Sequence, residues 1–419
     1  MQPRTTQRGL EIAPFRGLRY TLGPARTAES VTSPPYDVIS PEEHRKLLEA
    51  SPFNITRLTL GSQPGAFSSY EERGELLRQW VKQGVLELEE EPAFYINVIE
   101  YPAPGQPAKR VRFVGLIGLG RLHPFTDGIV FPHERTFPKV VDDRLSLLEA
   151  TRANLENILL LYSDAEGAMD YLLESQTKRK PLLRVEAKPN EFHELHAITD
   201  VAVFIQLIDL MGGQRPIIAD GHHRYTTSLR FSTESKERGV NVPGADWQMM
   251  TFANLRGDGL SILATHRLVK LKAGVKSAEA LDLLLKNLET TEGPDFDLRL
   301  ETRERKVGVR FPGHLKTARK GVARTRYGLV HDLVLAEWLR GIVEEKDIRY
   351  FKEGTGEDEA LQRGDGDLLL RMRPVQPAEF EQVVQGGQVF PHKTTYFYPK
   401  LWSGLVLWPL EEPERLQLK

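Results

Sequence analysis

Apolar and polar positions alternate with two different periods along this chain, and the switches between them mark its elements. Tyr70 to Gln83 places Leu76, Leu77, Trp80 and Val81 at helical spacing. Ala93 to Glu100 and Val111 to Leu119 read as two strands, joined by a Pro- and Gly-containing connection that suits a hairpin. Ile158 to Tyr162 is a short, wholly apolar run, as expected of a buried strand. Leu145 to Ala153, Ala165 to Glu174, Ile198 to Met211, Ala278 to Asn287 and His331 to Arg340 read as helices. Leu10 to Leu22, Asn54 to Leu60, Leu182 to Val185, Trp247 to Leu255, Leu260 to Leu263 and Val307 to Phe311 read as strands or extended segments. Ser40-Pro41-Glu42-Glu43 carries a helix-start signature, with Ser as N-cap and Pro at the first helical position. Alternating strands and helices predict an α/β fold of mixed α+β layers.

The chain has 419 residues, too many for one ordinary core. The Gly- and Pro-containing break from Arg238 to Asp246 predicts two parts, 1–238 and 239–419. Hydrophobic residues make up 40% and charged residues 27%, which suits a globular chain. The formal net charge is −2, so no bulk attraction to nucleic acid is expected. There are no cysteines, which removes disulfides, thiol nucleophiles and cysteine-held iron–sulfur or zinc centres. No haem is expected either. No apolar run is long enough to span a bilayer, and Met1 to Gly9 is too polar for a secretory signal. The expectation is a cytoplasmic protein without a membrane partner. Its oligomeric state stays open.

Pro216-Ile217-Ile218-Ala219-Asp220-Gly221-His222-His223-Arg224-Tyr225 is the most informative stretch. It reads as a buried strand, a tight turn at Asp220 and Gly221, and a helix from His222 to Phe231. A glycine turn that opens a helix directs backbone N–H groups at one spot, where the helix dipole favours an anion. Two imidazoles and a guanidinium there suit phosphate. Two blander readings stand beside this one: Asp220 as an N-cap, and Arg224 as a surface ion-pair partner. A metal site is a third. Adjacent helical residues point about 100° apart, so His222 and His223 would not grip one ion together.

A second constellation is His133-Glu134-Arg135-Thr136-Phe137-Pro138-Lys139, continuing to Arg144. A zinc-protease helix would need a second histidine four residues after His133, where Phe137 stands. What remains is a carboxylate, Glu134, among His133, Arg135, Lys139 and Arg144. Such a mixture suits phosphoryl transfer: cations offset charge on the moving group and a carboxylate takes a hydroxyl proton. A helix start with ordinary ion pairs is the plainer reading. A third stretch, Lys393-Thr394-Thr395-Tyr396-Phe397-Tyr398-Pro399-Lys400, offers two lysines and two hydroxyls for a ligand, or simply a β-strand. A fourth, Ser33-Pro34-Pro35-Tyr36-Asp37-Val38, presents Tyr36 and Asp37 on a rigid corner. His193, His196, His266 and His331 read as structural. No P-loop occurs, and Gly115-Leu116-Ile117-Gly118-Leu119-Gly120 lacks the dinucleotide spacing.

Ser-Pro-Pro-Tyr-Asp-Val, His-Glu-x-Thr, Asp-Gly-His-His-Arg-Tyr and Lys-Thr-Thr-Tyr-Phe-Tyr-Pro-Lys occur in that order. Together they resemble the domain-of-unknown-function 1015 family, over nearly the whole chain. The Asp-Gly-His-His-Arg segment is similar to that of the free serine kinases, which share a ParB/sulfiredoxin-like fold and phosphorylate free L-serine. The resemblance implies a ParB-like N-terminal part, an amino-acid acceptor, and a small phosphate donor, pyrophosphate or ADP/ATP. It implies that Asp220, Gly221, His222, His223 and Arg224 hold donor phosphates. Thr394 stands where serine is expected, which keeps the hydroxyl. From chemistry alone, Glu134 and His133 are the catalytic candidates. Lys139, Arg144 and Lys393 are further phosphate contacts, and Tyr36, Asp37, Thr394 and Thr395 are substrate contacts. Mg²⁺ is expected with the phosphate charge. Two rival readings are a ParB-like ligand-binding module without turnover and a metal-dependent hydrolase using Asp220, His222, His133 and Glu134.

Overall fold

A computed structural model describes residues 9–61 and 69–411. All of the Met1 to Gly9 stretch except Gly9 lies outside the described residues. The architecture is mixed α/β, and the chain divides into two compact units.

The first unit is built on an eight-stranded sheet. Its strands are β1 (Ile12–Ala13), β2 (Phe94–Ala103), β3 (Gln106–Arg121), β4 (Ile158–Tyr162), β5 (Leu183–Lys188), β6 (Glu191–Ile198), β7 (Ile217–Asp220) and β8 (Trp247–Asn254). They lie in the order β7-β4-β8-β3-β2-β6-β5, with β1 on β3. β8 runs parallel to β4, Met250 facing Ile158, and antiparallel to β3. Every residue of β4 and β8 is buried, as covering both faces of a sheet requires. Helices α1 (Pro41–Ala50), α2 (Thr56–Thr59) and α3 (Tyr70–Lys82) belong to the same unit, and α4 (Pro138–Thr151), α5 (Val201–Gly212) and α6 (His222–Glu237) pack on the sheet, with α2 and α3 meeting Leu147 of α4 in a further cluster. One core gathers Phe94, Ile158, Leu160 and Phe252 with Phe204, Leu207 and Met211 of α5. A second gathers Tyr95, Met249 and Trp408 with Leu145 and Leu148 of α4 and Phe231 of α6.

The second unit has a seven-stranded sheet. Its strands are β9 (Ser261–Val269), β10 (Glu289–Thr291), β11 (Leu298–Glu301), β12 (Lys306–Arg310), β13 (Ile348–Lys352), β14 (Leu368–Met372) and β15 (Thr395–Tyr398). The order is β10-β12-β11-β14-β9-β13, with β15 paired to the first half of β9. Helix α7 (Pro377–Gln385) belongs to this unit.

Several sequence expectations shift. The units divide between Leu260 and Ser261, later than the 238/239 boundary, because β8 is central to the first sheet. Residues 399–411 return to the first unit, where Trp408 and Pro409 pair with Asn154 and Ala153. Leu10 to Leu22 yields only β1 and a short strand, Leu18–Tyr20. Asn54 to Leu60 is not a strand. The Asn54 side chain accepts hydrogen bonds from the Thr56 N–H and hydroxyl and starts α2. Leu145 to Ala153 is the end of α4, which begins seven residues earlier at Pro138. Ile198 closes β6, and α5 starts after the N-cap Asp200. Val330–Trp338 winds as a π-helix, and nothing in its local sequence accounts for the wider turn.

Candidate functional site

β7 delivers Asp220 to a turn that only glycine fits. Gly221 has φ +92°, and a Cβ there would meet Ile158 Cγ2 at 2.6 Å. Helix α6 follows at once, so the positive end of its dipole faces the turn. Arg224, one turn into α6, donates from Nη2 to Asp220 Oδ2 at 2.9 Å and from Nη1 to the Asn157 carbonyl at 2.5 Å. Lys400, from the returning C-terminal segment, donates to Asp220 Oδ1 at 2.5 Å. Burial acts to raise the Asp220 carboxyl, but Lys400 and Arg224, with a smaller contribution from His222, hold it down to about 2.

The Pro-Pro corner meets this cluster. The Tyr36 N–H donates to Glu156 Oε1 at 3.1 Å, and the Ser403 hydroxyl donates to the same oxygen at 2.7 Å. The Arg144 guanidinium lies over the Tyr36 ring, 4.3 Å from its centroid. Burial pushes the Tyr36 hydroxyl up to about 12, against the pull of Arg224 and Arg144, so it stays protonated. The Asp37 carboxyl is raised above its ordinary value, first by the desolvating walls around it and next by the Asp220 anion. Glu156, Arg144 and Arg224 also line a small cavity of about 50 Å³, with Ser228 and Gln248 on its wall.

The structure therefore brings together Tyr36, Asp37, Arg144, Asp220, Gly221, His222 and Arg224 in the first unit. Arg144 is only 8% exposed, and donates to Asp143 and to the Thr59 carbonyl. His223 has a different setting. Its Nε2 accepts the Phe137 N–H at 3.0 Å, and its ring stacks on that of Phe137 at 5.9 Å. It thus caps the start of α4, whose N-cap residue Phe137 offers no side-chain bond of its own. Lys139 is exposed in the first turn of α4.

The remaining candidates belong to the second unit. His133 is 2% exposed and stands edge-on to Phe380 and Phe397, with Nε2 3.0 Å from the Thr395 hydroxyl. That is a packing position. Thr394 is 1% exposed, and its hydroxyl donates to the Pro391 carbonyl at 2.6 Å. The hydroxyls of Thr394 and Thr395 are thus engaged inside this unit and not presented to a substrate. Lys393 sits at φ +54° with its ammonium 5.8 Å from the Tyr350 ring centroid. Glu134 is half-buried, with no hydrogen bond to another described residue. In the first unit His193 faces Glu191 and packs on Trp402, and in the second His266 accepts the Met372 N–H, both in buried structural roles.

The sequence model of a family described as a protein of unknown function, DUF1015, matches residues 12–345. The chain belongs to this family. Comparison with curated proteins returns no match. Among solved structures, a point mutant of a free serine kinase in complex with ADP is 15% identical, over 64% of this chain and 83% of that one, with a TM-score of 0.34. A free serine kinase in complex with AMP is 13% identical over the same shares, with a TM-score of 0.34. SbnI with a C-terminal truncation, from Staphylococcus aureus, is 15% identical over 70% of this chain and 87% of that one, with a TM-score of 0.38.

Three residues of this DUF1015 chain's cluster were not singled out by sequence reasoning: Glu156, Ser403 and Lys400. Lys400 closes the Lys-Thr-Thr-Tyr-Phe-Tyr-Pro-Lys stretch, so its signal was present, but Lys393 at the other end drew the assignment. Glu156 has no local signal at all.

Proposed function

We propose that this chain is a small-molecule phosphotransferase that moves a phosphoryl group from a phosphate donor to the hydroxyl of a free amino acid, L-serine first. One observation supports it above the rest. Two cations from distant segments, Arg224 and Lys400, converge on the single carboxylate of Asp220 at a glycine-forced helix start. Two cations thus stand on one carboxylate at the dipole's positive end, where donor oxygens would sit. Asp220 then organises the cations, and Arg224, Lys400 and the first turn of α6 hold the anion.

The hydroxyl proton needs an acceptor. Asp37 meets that need, because its raised carboxyl binds a proton more readily than an ordinary aspartate. The serine oxygen attacks phosphorus, Asp37 takes its proton, and the donor leaves as the shortened phosphate. Tyr36, held protonated, serves as a hydrogen-bond donor. Glu134 is the second candidate base. Among the described residues no group of three carboxylates or histidines could hold a metal. Mg²⁺ would therefore arrive with the donor, bound chiefly by phosphate oxygens and one carboxylate, and would supply charge neutralisation. The donor reading covers pyrophosphate, ADP and ATP, and a ParB/sulfiredoxin-like ancestry of the first unit goes with it. The hydrolase reading loses support, since both oxygens of Asp220 are taken by cations and His133 is packed among aromatics.

The test is incubation of the purified protein with L-serine, Mg²⁺ and each donor in turn, with O-phosphoserine followed by ³¹P resonance and mass. Product with at least one donor is expected. Asp37→Asn should slow transfer by about 10²–10⁴-fold, and Glu134→Gln should change it less. Absence of product with every donor would reject the proposal, and the reverse ranking of the two variants would move the base to Glu134.

A further inference from the structure

The second unit contains a polar cavity of its own, about 490 Å³, that plays no part in the reading above. Its walls come from the turn Gly321–Arg324, from Arg326, and from the face of α7 that carries Glu379 and Gln382. The turn is pinned from both sides. The Gln388 side-chain oxygen accepts the Val322 N–H, and Gly321, at φ +56°, leaves room for that amide where a Cβ would lie 2.3 Å from its carbon. The Thr325 hydroxyl donates to the Val322 carbonyl at 2.7 Å and accepts the Gly328 N–H at 3.2 Å.

On this fixed turn, the guanidinium groups of Arg324 and Arg326 make no hydrogen bond or ion pair with another described residue. Both line the cavity, Arg324 exposed and Arg326 half-buried. Lys316 is already matched: it donates to Asp297 Oδ2 at 2.7 Å, which also accepts the Phe311 N–H at 3.0 Å. Glu379 is the carboxylate left over. It is half-buried, and no described donor reaches it. Burial raises its carboxyl, Arg326 and Lys316 pull it back, and Asp297 adds to the rise. A half-buried carboxylate thus faces two guanidiniums that no described residue engages, across a cavity open to a ligand. Polar walls of this size suit a small hydrophilic molecule and not an apolar one.

We propose that this cavity binds a small zwitterion of the amino-acid class, its carboxylate gripped by Arg324 and Arg326 and its ammonium by Glu379. Guanidinium pairs hold a carboxylate through two parallel hydrogen bonds, and a lone carboxylate across the cavity answers a cation. The site is independent of the phosphate reading at Asp220.

Calorimetry of the full chain tests it, with the standard L-amino acids as probes, and acetate, ethylamine and inorganic phosphate as single-charge controls. At least one amino acid should bind one to one, and acetate and ethylamine at least tenfold more weakly. Arg326→Ala should weaken the amino acid at least tenfold. Glu379→Gln, nearly isosteric, should weaken the amino acid but leave acetate unchanged, so a folding defect cannot mimic the result. Arg224→Ala should leave this binding in place, which separates it from any substrate site in the first unit. No binding by any amino acid, tighter binding of inorganic phosphate, or binding indifferent to both Arg326→Ala and Glu379→Gln would overturn the proposal.

Discussion

Replacing Asp220 with asparagine removes one charge and strands two. Arg224 and Lys400 would then face each other with no anion between them, and breaking a buried pair in this way costs about 3 kcal/mol. The pH dependence follows from the same geometry. The Asp220 carboxyl is held at about 2, below its ordinary 3.8. A depressed acid contributes stability that is complete above its unfolded value and is lost as pH falls through the folded one. Unfolding titrations should therefore show the wild type losing about 2 kcal/mol between pH 4 and pH 2 that Asp220→Asn does not lose. A double-mutant cycle with Lys400→Met should give a coupling of about 1–3 kcal/mol. A flat difference across that pH window would show that the ion pairs do not hold the turn. At this scale the sequence was readable where chemistry is local. Asp220, Gly221 and Arg224 lie within five positions, and the turn that needs glycine is written beside its helix. Lys400 was unreadable because it comes 180 residues later, and only the folded chain sets it against Asp220.

Elements were legible where one period ran unbroken. β2, β3, α3 and β4 follow from apolar spacing alone, and α1 from its Ser-Pro start, where the Ser40 hydroxyl does accept the Glu43 N–H. Asn54 to Leu60 misled because its Ile, Leu and Leu positions fit an alternating reading nearly as well as a helical one. Burial decides the matter: Asn54, Ile55, Thr56, Leu58 and Thr59 are all buried, a helical set. Asn54 is the organiser. Its Oδ1 accepts from Thr56, and its Nδ2 donates to the Ser30 carbonyl at 2.9 Å and the Thr32 carbonyl at 3.1 Å. Asn54→Ala would leave buried carbonyls and an N–H without partners, each worth about 1 kcal/mol or more. A loss of about 3 kcal/mol is expected in denaturant unfolding. Because Thr32 lies just ahead of the Pro-Pro corner, the same variant should also loosen Tyr36 and Asp37, seen as faster amide exchange there. Unchanged exchange at Tyr36 would mean the corner is held by its prolines and Glu156 alone.

The largest misreading of the whole molecule was to let the chain run from a first part into a second and stop. It goes out and comes back. Residues 399–411 rejoin the first unit, where Leu405, Val406, Leu407 and Trp408 are each at most 1% exposed. A fully buried apolar side chain contributes about 1.5–3 kcal/mol, so four of them contribute an amount comparable with the about 5–15 kcal/mol that holds an ordinary domain. The same segment supplies Lys400 to Asp220 and Ser403 to Glu156, so the packing of the first unit and the candidate site depend on one piece of chain. Periodicity could show that Gly404 to Trp408 was apolar, but not which core it would fill. A chain ending at Tyr398 should then lose the cooperative unfolding of the first unit, with Leu407→Asp giving much of the same loss in the full-length chain. Lys400→Ala should behave differently. It leaves the four apolar side chains in place, so near-ultraviolet circular dichroism and the cooperativity of unfolding should stay close to wild type, with a stability loss limited to about 1–3 kcal/mol from the Asp220 pair, while phosphoryl transfer drops. If Lys400→Ala melted as readily as Leu407→Asp, the lysine would be holding the return segment down instead of serving the site. If the chain ending at Tyr398 kept a native transition, the first unit would be complete without the return.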